Sequence, residues 1–202
     1  GKGVAVQLPN GPELVTTMVG IWLAGGVHIP VNPKLPAAEV DAVLGSTRPA
    51  VLVTESGRTQ LRDPAQFDAD VAFVMWTSGT TGRPKAIQHT HTAYVELLDR
   101  VLRPLRGDGP SSGRPPTPNL IPVSMALNAG LYNALFGLRA GAALVMMDRF
   151  EPVAFAELVR RFEIRSTVLP PAAMAMTPLR FVTCTGVVRC VVVESPSCPL
   201  VL

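Results

Sequence analysis

The sequence of 202 residues is short of charge, of cysteine and of long apolar runs, and each shortage excludes a class of protein. Charged residues make up only 16% of the chain, and the net charge is +3. The basic residues are scattered and form no Lys/Arg cluster, so we predict no binding to nucleic acid. Hydrophobic residues make up 48% of the chain, which is typical of a globular protein and not of a disordered one.

Cysteine is scarce and badly placed for a metal site. The three cysteines, Cys184, Cys190 and Cys198, all lie near the C-terminus. Their number is odd and their spacing fits no zinc pattern, so we predict reduced thiols and no bound metal. Because the sequence shows no signal peptide, the expected location is the cytoplasm.

No apolar run is long enough to cross a membrane. The most apolar stretch, residues 18–31, is interrupted by Gly25, Gly26, His28 and Pro30. It is also shorter than the roughly 20 residues that a helical span requires. We therefore predict no transmembrane segment, and we interpret this stretch as a core helix that runs into a strand.

Apolar strand patterns alternate with helical ones along most of the chain. Strands are predicted at residues 3–8, 27–31, 50–54, 71–76, 119–123, 142–147 and 166–169. Helices are predicted at residues 13–24, 36–44, 88–101, 127–138 and 151–162. Residues 56–70 are expected to form an irregular surface connection, and residues 103–118 a loop rich in Pro, Gly and Ser. Such alternation predicts an α/β fold with a mostly parallel sheet flanked by helices.

One loop carries the strongest chemical signal in the sequence. The segment Thr77-Ser78-Gly79-Thr80-Thr81-Gly82-Arg83-Pro84-Lys85 follows directly on the predicted strand 71–76. Its two glycines allow the backbone to approach a ligand closely, and successive backbone N–H groups can then form an anion-binding concavity. Four side-chain hydroxyls and the Lys85 ammonium add further donors. This combination is suited to a polyphosphate.

The loop is not a Walker phosphate loop, because Gly82 is followed by Arg83-Pro84-Lys85-Ala86 and not by Lys and Ser or Thr. This difference counts against a kinase-like phosphate binder. A second reading of the residues alone is a solvent-exposed Ser/Thr/Gly turn with no ligand, since turn residues are common.

The nine-residue string resembles the signature of the adenylate-forming superfamily, which comprises acyl- and aryl-CoA synthetases, nonribosomal-peptide adenylation domains and luciferases. Residues 21–33, IWLAGGVHIPVNP, are similar to the core motif that precedes the loop in that family. His89-Thr90-His91 and residues 150–169 also resemble family elements. The resemblance covers residues 4–176, and it implies part of the N-terminal domain of the adenylate-forming ligase fold.

The resemblance implies a reaction and a set of ligands. A carboxylic acid, expected to be a fatty acid, would react with ATP to give an acyl-adenylate and pyrophosphate, and CoA would then accept the acyl group. Mg²⁺ would accompany ATP. The phosphate-binding residues implied are Thr77, Ser78, Gly79, Thr80, Thr81, Gly82 and Lys85.

Weaker candidates surround the loop. His89 and His91 are expected either to face the nucleotide or to cap the helix that follows. Met125 and Asn128 lie where relatives carry residues of the acyl pocket, although the family's aromatic and His pattern is missing there. Trp76 is interpreted as a core residue at the end of a strand.

The later motifs of the family are missing from this sequence. We find no Tyr-Gly-x-Thr-Glu element, no Thr-Gly-Asp segment and no C-terminal lysine. The chain also begins with Gly1 and departs from the family pattern after residue 182. We therefore predict an incomplete adenylation domain at residues 1–182 and a divergent, possibly frameshifted tail at residues 183–202.

Two functional hypotheses follow from this incompleteness. The first is a fragment of an ATP-dependent acyl-CoA ligase that is inactive alone, because the groups that stabilise one transition state come from several segments. The alternative is a non-catalytic nucleotide-binding or interaction protein derived from such a ligase. The sequence does not indicate an oligomeric state.

Overall fold

The structure, a computed structural model, describes residues 1–77, 85–106, 116–167, 169, 173, 176, 181–184 and 187–190. The chain divides into two compact units. The first unit comprises residues 1–109 and 124–131, and the second comprises residues 110–123 and 132–202.

The first unit is built on a six-stranded sheet. Its elements are β1 (Gly3–Gln7), α1 (Pro12–Leu23), β2 (Val27–Pro30), α2 (Ala37–Thr47), β3 (Val51–Thr54), β4 (Gly57–Gln60), β5 (Val71–Thr77), β6 (Lys85–Thr90) and α3 (His91–Arg106). The strand order is β4-β3-β1-β2-β5-β6. The four central strands pair in parallel, and each edge strand pairs antiparallel with its neighbour.

Helices cover the sheet because its central strands are apolar on both faces, as strands of a parallel sheet usually are. Val40 and Val43 of α2 join a buried cluster with Ala5, Val27 and Ile29. Helix α1 packs on β1 and β2. It buries the side chains Leu14, Met18 and Ile21.

The second unit contains a five-stranded sheet in the order β10-β11-β9-β7-β8. Its strands are β7 (Asn119–Ile121), β8 (Leu144–Met146), β9 (Ser166–Thr167), β10 (Phe181–Cys184) and β11 (Val187–Cys190), and its helix is α5 (Pro152–Arg161). Helix α4 (Asn128–Ala140) begins among first-unit residues and ends among second-unit residues. Phe155, Val159 and Ile164 form a core with Leu120.

The predicted α/β class and the predominance of parallel pairing in the first sheet are confirmed. Every predicted strand and helix has a counterpart, with bounds that differ by one to three residues in most cases. The domain division predicted at residue 182 stays a prediction. It rests on likeness to a family, whereas the two compact units are distinguished by the contacts within each unit.

Three local predictions were wrong. The helix predicted at residues 88–101 begins at His91, because residues 88–90 pair with β5 as part of β6. Residues 56–70 contain the edge strand β4, which pairs antiparallel with β3. Helix α3 continues to Arg106, into the segment predicted as a loop. In the first two cases pairing with a neighbouring strand overrides the local sequence preference.

Candidate functional site

The hairpin of β5 and β6 carries the two ends of the predicted phosphate loop. Strand β5 is apolar, and its residues Val71 to Met75 are buried. Strand β6 returns antiparallel beside it, so that Thr77 is paired with Lys85. The first and last residues of the predicted site therefore lie opposite each other at the end of the hairpin where the loop connects the two strands. The predicted residues Ser78, Gly79, Thr80, Thr81 and Gly82 lie outside the described residues.

Lys85 is the first residue of the edge strand β6. It and the next three residues of β6 are exposed. An exposed ammonium group on a strand end is free to reach an anionic ligand held by the preceding loop. Its position beside Thr77 agrees with the predicted use of both residues, and that use stays a prediction.

His89 is enclosed by aromatic rings. Its imidazole stacks on Phe73, with ring centres 4.8 Å apart and planes at 20°. Tyr94 of α3 meets both rings edge-on, at 4.8 Å from Phe73 and 5.7 Å from His89. Partial burial lowers the pKa of His89 below its usual value, which favours a neutral ring. The contact of His89 with a nucleotide stays a prediction, while its packing role is observed.

The start of α3 is capped by Thr90 and Asp70, and not by the predicted His89 or His91. The Thr90 hydroxyl accepts a hydrogen bond from the Ala93 N–H at 3.2 Å. The Asp70 carboxylate accepts from both the N–H and the hydroxyl of Thr92. The cap therefore comes from Thr90 and Asp70, and the Thr90 signal was available in the sequence as a Thr three residues before Ala93. His91 is the first helical residue, and its ring meets Trp22 edge-on at 5.6 Å.

Trp76 packs against the buried apolar cluster of the first unit, as expected of a core residue at a strand end. Its Nε1 is buried, and it has no hydrogen-bond partner among the described residues.

Met125 and Asn128 lie in the segment that precedes and begins α4. Met125 is 1% exposed, and its N–H donates to the Asn10 side-chain oxygen at 2.8 Å. Asn10 follows β1 and is 115 residues from Met125, and no local sequence pattern predicts a contact over that separation. Gly130 allows the close approach of this segment, because a Cβ there would lie 2.2 Å from the Ser124 carbonyl oxygen. Asn128 is exposed. Their predicted place in a substrate pocket remains untested.

A cleft of about 740 Å³ in the first unit lies between α1 and the strands β1, β3 and β4. Val4, Val51 and Val53 contribute to its apolar lining, and Lys2 and Arg58 contribute cationic groups. None of the predicted site residues lines this cleft. Its size therefore does not make it the candidate site, because the donors suited to a polyphosphate lie on the hairpin.

Two features are absent from the described part of the chain. Those residues contain no group of three or more His, Cys, Asp or Glu side chains that could hold a metal ion. They also contain no helix that is long and apolar enough to span a membrane.

Comparison with known proteins gives one family. The family model described as AMP-binding enzyme matches residues 1–68 and 56–194. A probable non-canonical nonribosomal peptide synthetase, CymA of Salinispora arenicola (strain CNS-205), is 31% identical over 205 residues, which cover 97% of this chain and 2% of that protein. Pyochelin synthetase PchE of Pseudomonas aeruginosa (strain UCBPP-PA14) is 28% identical over 198 residues, which cover 87% of this chain and 13% of that protein.

Solved structures agree in fold. The O-succinylbenzoate coenzyme A synthetase MenE of Bacillus subtilis, in complex with AMP, superposes with a TM-score of 0.72 at 21% identity. The match covers 87% of this chain and 50% of that one. The same enzyme in complex with ATP and magnesium ion gives a TM-score of 0.70 at 21% identity, over 87% of this chain and 52% of that one. The chain thus spans about half the length of these solved relatives.

Proposed function

The chain belongs to the AMP-binding enzyme family of adenylate-forming ligases, and from this membership we propose that it binds MgATP through the segment from Thr77 to Lys85. The observation that carries the proposal is the pairing of Thr77 with Lys85 at the end of the β5–β6 hairpin. This pairing places Lys85 at the loop end of the hairpin. The seven residues that connect the strands would supply hydroxyl and backbone donors there.

The proposed contacts are with the β- and γ-phosphates of ATP. Positioning and neutralisation of charge dominate chemistry at phosphorus, and Lys85 would contribute one positive charge while the loop hydroxyls contribute hydrogen bonds. Mg²⁺ would arrive with the nucleotide. A family member solved with ATP and magnesium ion supports this assignment.

The acid substrate is proposed only as a carboxylic acid. Relatives include nonribosomal peptide synthetases and an O-succinylbenzoate ligase, so they do not single out the fatty acid that the sequence suggested. CoA as the acceptor and a cytoplasmic location, where ATP is present, are retained as proposals.

We propose further that the 202 residues bind nucleotide without completing adenylation, because they span about half of the solved ligases they resemble. Acid-dependent exchange of labelled pyrophosphate into ATP tests this point against a panel of fatty, aryl and amino acids. Exchange would assign a complete adenylation activity to the chain. Binding of MgATP without exchange is the expected result.

The test of the site itself is the substitution Lys85→Ala. Loss of a charge-assisted contact to phosphate should raise the Kd for MgATP by about tenfold, measured by isothermal titration calorimetry. Arg58→Ala is the matched control, because Arg58 is exposed on β4 at the opposite edge of the same sheet and its loss lowers the net charge equally. Equal affinity of Lys85→Ala and wild type would refute the proposed role of Lys85.

A further inference from the structure

The two ends of the β5–β6 hairpin follow different registers. At its base Val71 is paired with Thr90, whereas the next pair is Phe73 with His89. The later register then continues regularly to Thr77 and Lys85. Ala72 is therefore an extra residue on β5 with no partner on β6, which defines a β-bulge.

The base of the hairpin is held in its own register. The His91 N–H donates to the Asp70 carbonyl oxygen at 2.8 Å, which continues the register of the Val71–Thr90 pair. The aromatic cluster of Phe73, His89 and Tyr94 lies on the other side of the bulge. The bulge at Ala72 separates the register of the hairpin base from the register that continues to Thr77 and Lys85.

Trp22 of α1 contacts the bulge directly. Its indole Nε1–H donates to the Ala72 carbonyl oxygen at 2.7 Å, across fifty residues of sequence. Ala72 is 2% exposed, so water cannot easily replace this donor. The ring of Trp22 also meets His91 edge-on, so one side chain contacts both the extra residue and the hairpin base.

The register at the bulge decides where Lys85 lies. Without the bulge, the register of the Val71–Thr90 pair would continue along the hairpin and would place Lys85 opposite Trp76. A shift of one residue turns each side chain of β6 to the other face of the sheet. The Lys85 side chain would then point to the face of the sheet opposite the one it now occupies.

We propose that Trp22 is a positioning residue for nucleotide binding, because its hydrogen bond to Ala72 stabilises the bulge that places Lys85 opposite Thr77. This inference rests on the proposed function of the segment from Thr77 to Lys85. In this proposal Trp22 does not itself contact the nucleotide.

The register is measured by cross-linking. In a background in which Cys184, Cys190 and Cys198 are replaced by serine, the pair Met75→Cys and Ile87→Cys reports the present register, because these positions face each other. The pair Met75→Cys and Ala86→Cys reports the shifted register. Each pair is oxidised with copper phenanthroline and the disulfide yield is measured, with Trp22 intact and in the variant Trp22→Phe.

With Trp22 intact, the 75/87 disulfide should predominate. Trp22→Phe keeps an aromatic ring but removes the N–H donor, and it should raise the yield of the 75/86 disulfide. It should also raise the Kd for MgATP about three- to tenfold, the range expected for one buried hydrogen bond. In a double-mutant cycle, Lys85→Ala should cost less affinity in the Trp22→Phe background than in wild type, because Lys85 is already displaced there. A structural role without positioning would leave the two effects additive.

Leu23→Ala is the control, since Leu23 is the next residue of α1 and is 85% exposed. It should leave both yields and the Kd unchanged. If Trp22→Phe does not fold, replacement of Trp22 by the isosteric β-(3-benzothienyl)alanine removes only the donor. An unchanged register or an unchanged Kd in the folded variant would overturn the inference. If wild type itself does not bind MgATP, the proposed function fails, and the cross-linking yields still decide whether Trp22 sets the register.

Discussion

His28 is a polar residue buried in the apolar first sheet. It lies on the central strand β2, paired with Val4 on one side and Phe73 on the other, and it is 1% exposed. Its Nδ1 has no hydrogen-bond partner among the described residues. Burial lowers the pKa of His28 to about 3, because the apolar surroundings disfavour the charged imidazolium. The folded chain therefore keeps this side chain neutral.

We expect the chain to lose stability in acid through His28. The unfolded chain binds a proton at His28 near pH 6.5, whereas the folded chain does so only near pH 3. Protonation of His28 therefore does not reduce the free energy of unfolding above pH 6.5. Below that pH, the free energy of unfolding falls by about 1 kcal/mol per pH unit as the pH drops toward 3. His28→Leu should remove this slope, measured by urea unfolding at pH 7, 6 and 5.

A comparison variant strengthens this test. The pKa of His89 is also lowered by burial, but its side chain is only partly enclosed, so His89→Leu should flatten the slope less than His28→Leu. Parallel pH profiles for wild type and His28→Leu would contradict the prediction.

At the scale of elements, three helices end in the same way. After α1, α4 and α5 the chain enters the left-handed region and forms the paired backbone hydrogen bonds of a Schellman motif. Gly25 and Gly141 occupy the left-handed position after α1 and α4, with φ of 71° and 75°. Glu163 occupies it after α5, with φ of 50°. A side chain there strains the backbone, whereas glycine does not.

Glu163→Gly should therefore stabilise the protein by about 0.5–1 kcal/mol, because relief of strain outweighs the extra freedom of glycine in the unfolded chain. Thermal unfolding followed by circular dichroism measures the change. Glu157→Gly is the matched control in the interior of α5, where glycine should destabilise by about 1 kcal/mol. A lower melting temperature for Glu163→Gly would count against this account of the helix end.

At the scale of the whole molecule, the first sheet ends in two unlike edges. Strand β4 is exposed along its length and carries Arg58, a charge of the kind that discourages pairing with another chain. Strand β6 forms the other edge; it begins with the exposed Lys85, but its Ile87 is 42% exposed. An exposed apolar side chain on an edge strand favours association between chains.

Ile87→Lys should slow aggregation, because it places a charge on the edge strand β6. Static light scattering at fixed concentration and raised temperature measures the rate. Stability should change by less than about 0.5 kcal/mol, as expected for an exposed position. Thr59→Lys places the same charge on β4 and should change the rate less, and an equal effect of the two substitutions would exclude a particular role for the β6 edge.

Local sequence patterns determined much of this protein. The alternation of apolar strands and amphipathic helices predicted the α/β class, and the string from Thr77 to Lys85 pointed to the family that the comparisons show. These signals are readable because strand and helix periods are properties of neighbouring residues, and because a nine-residue string is long enough to be specific.

Contacts over long sequence separations were decided only by the tertiary structure. The local pattern of residues 88–90 predicts helix, but these residues form the second half of strand β6, because pairing with β5 satisfies their backbone groups. The hydrogen bonds of Trp22 with Ala72 and of Asn10 with Met125 join segments 50 and 115 residues apart. The sequence motif thus identified Thr77 and Lys85 as the ends of the candidate site. The bulge that places them opposite each other depends on strand register, which no local sequence pattern encodes.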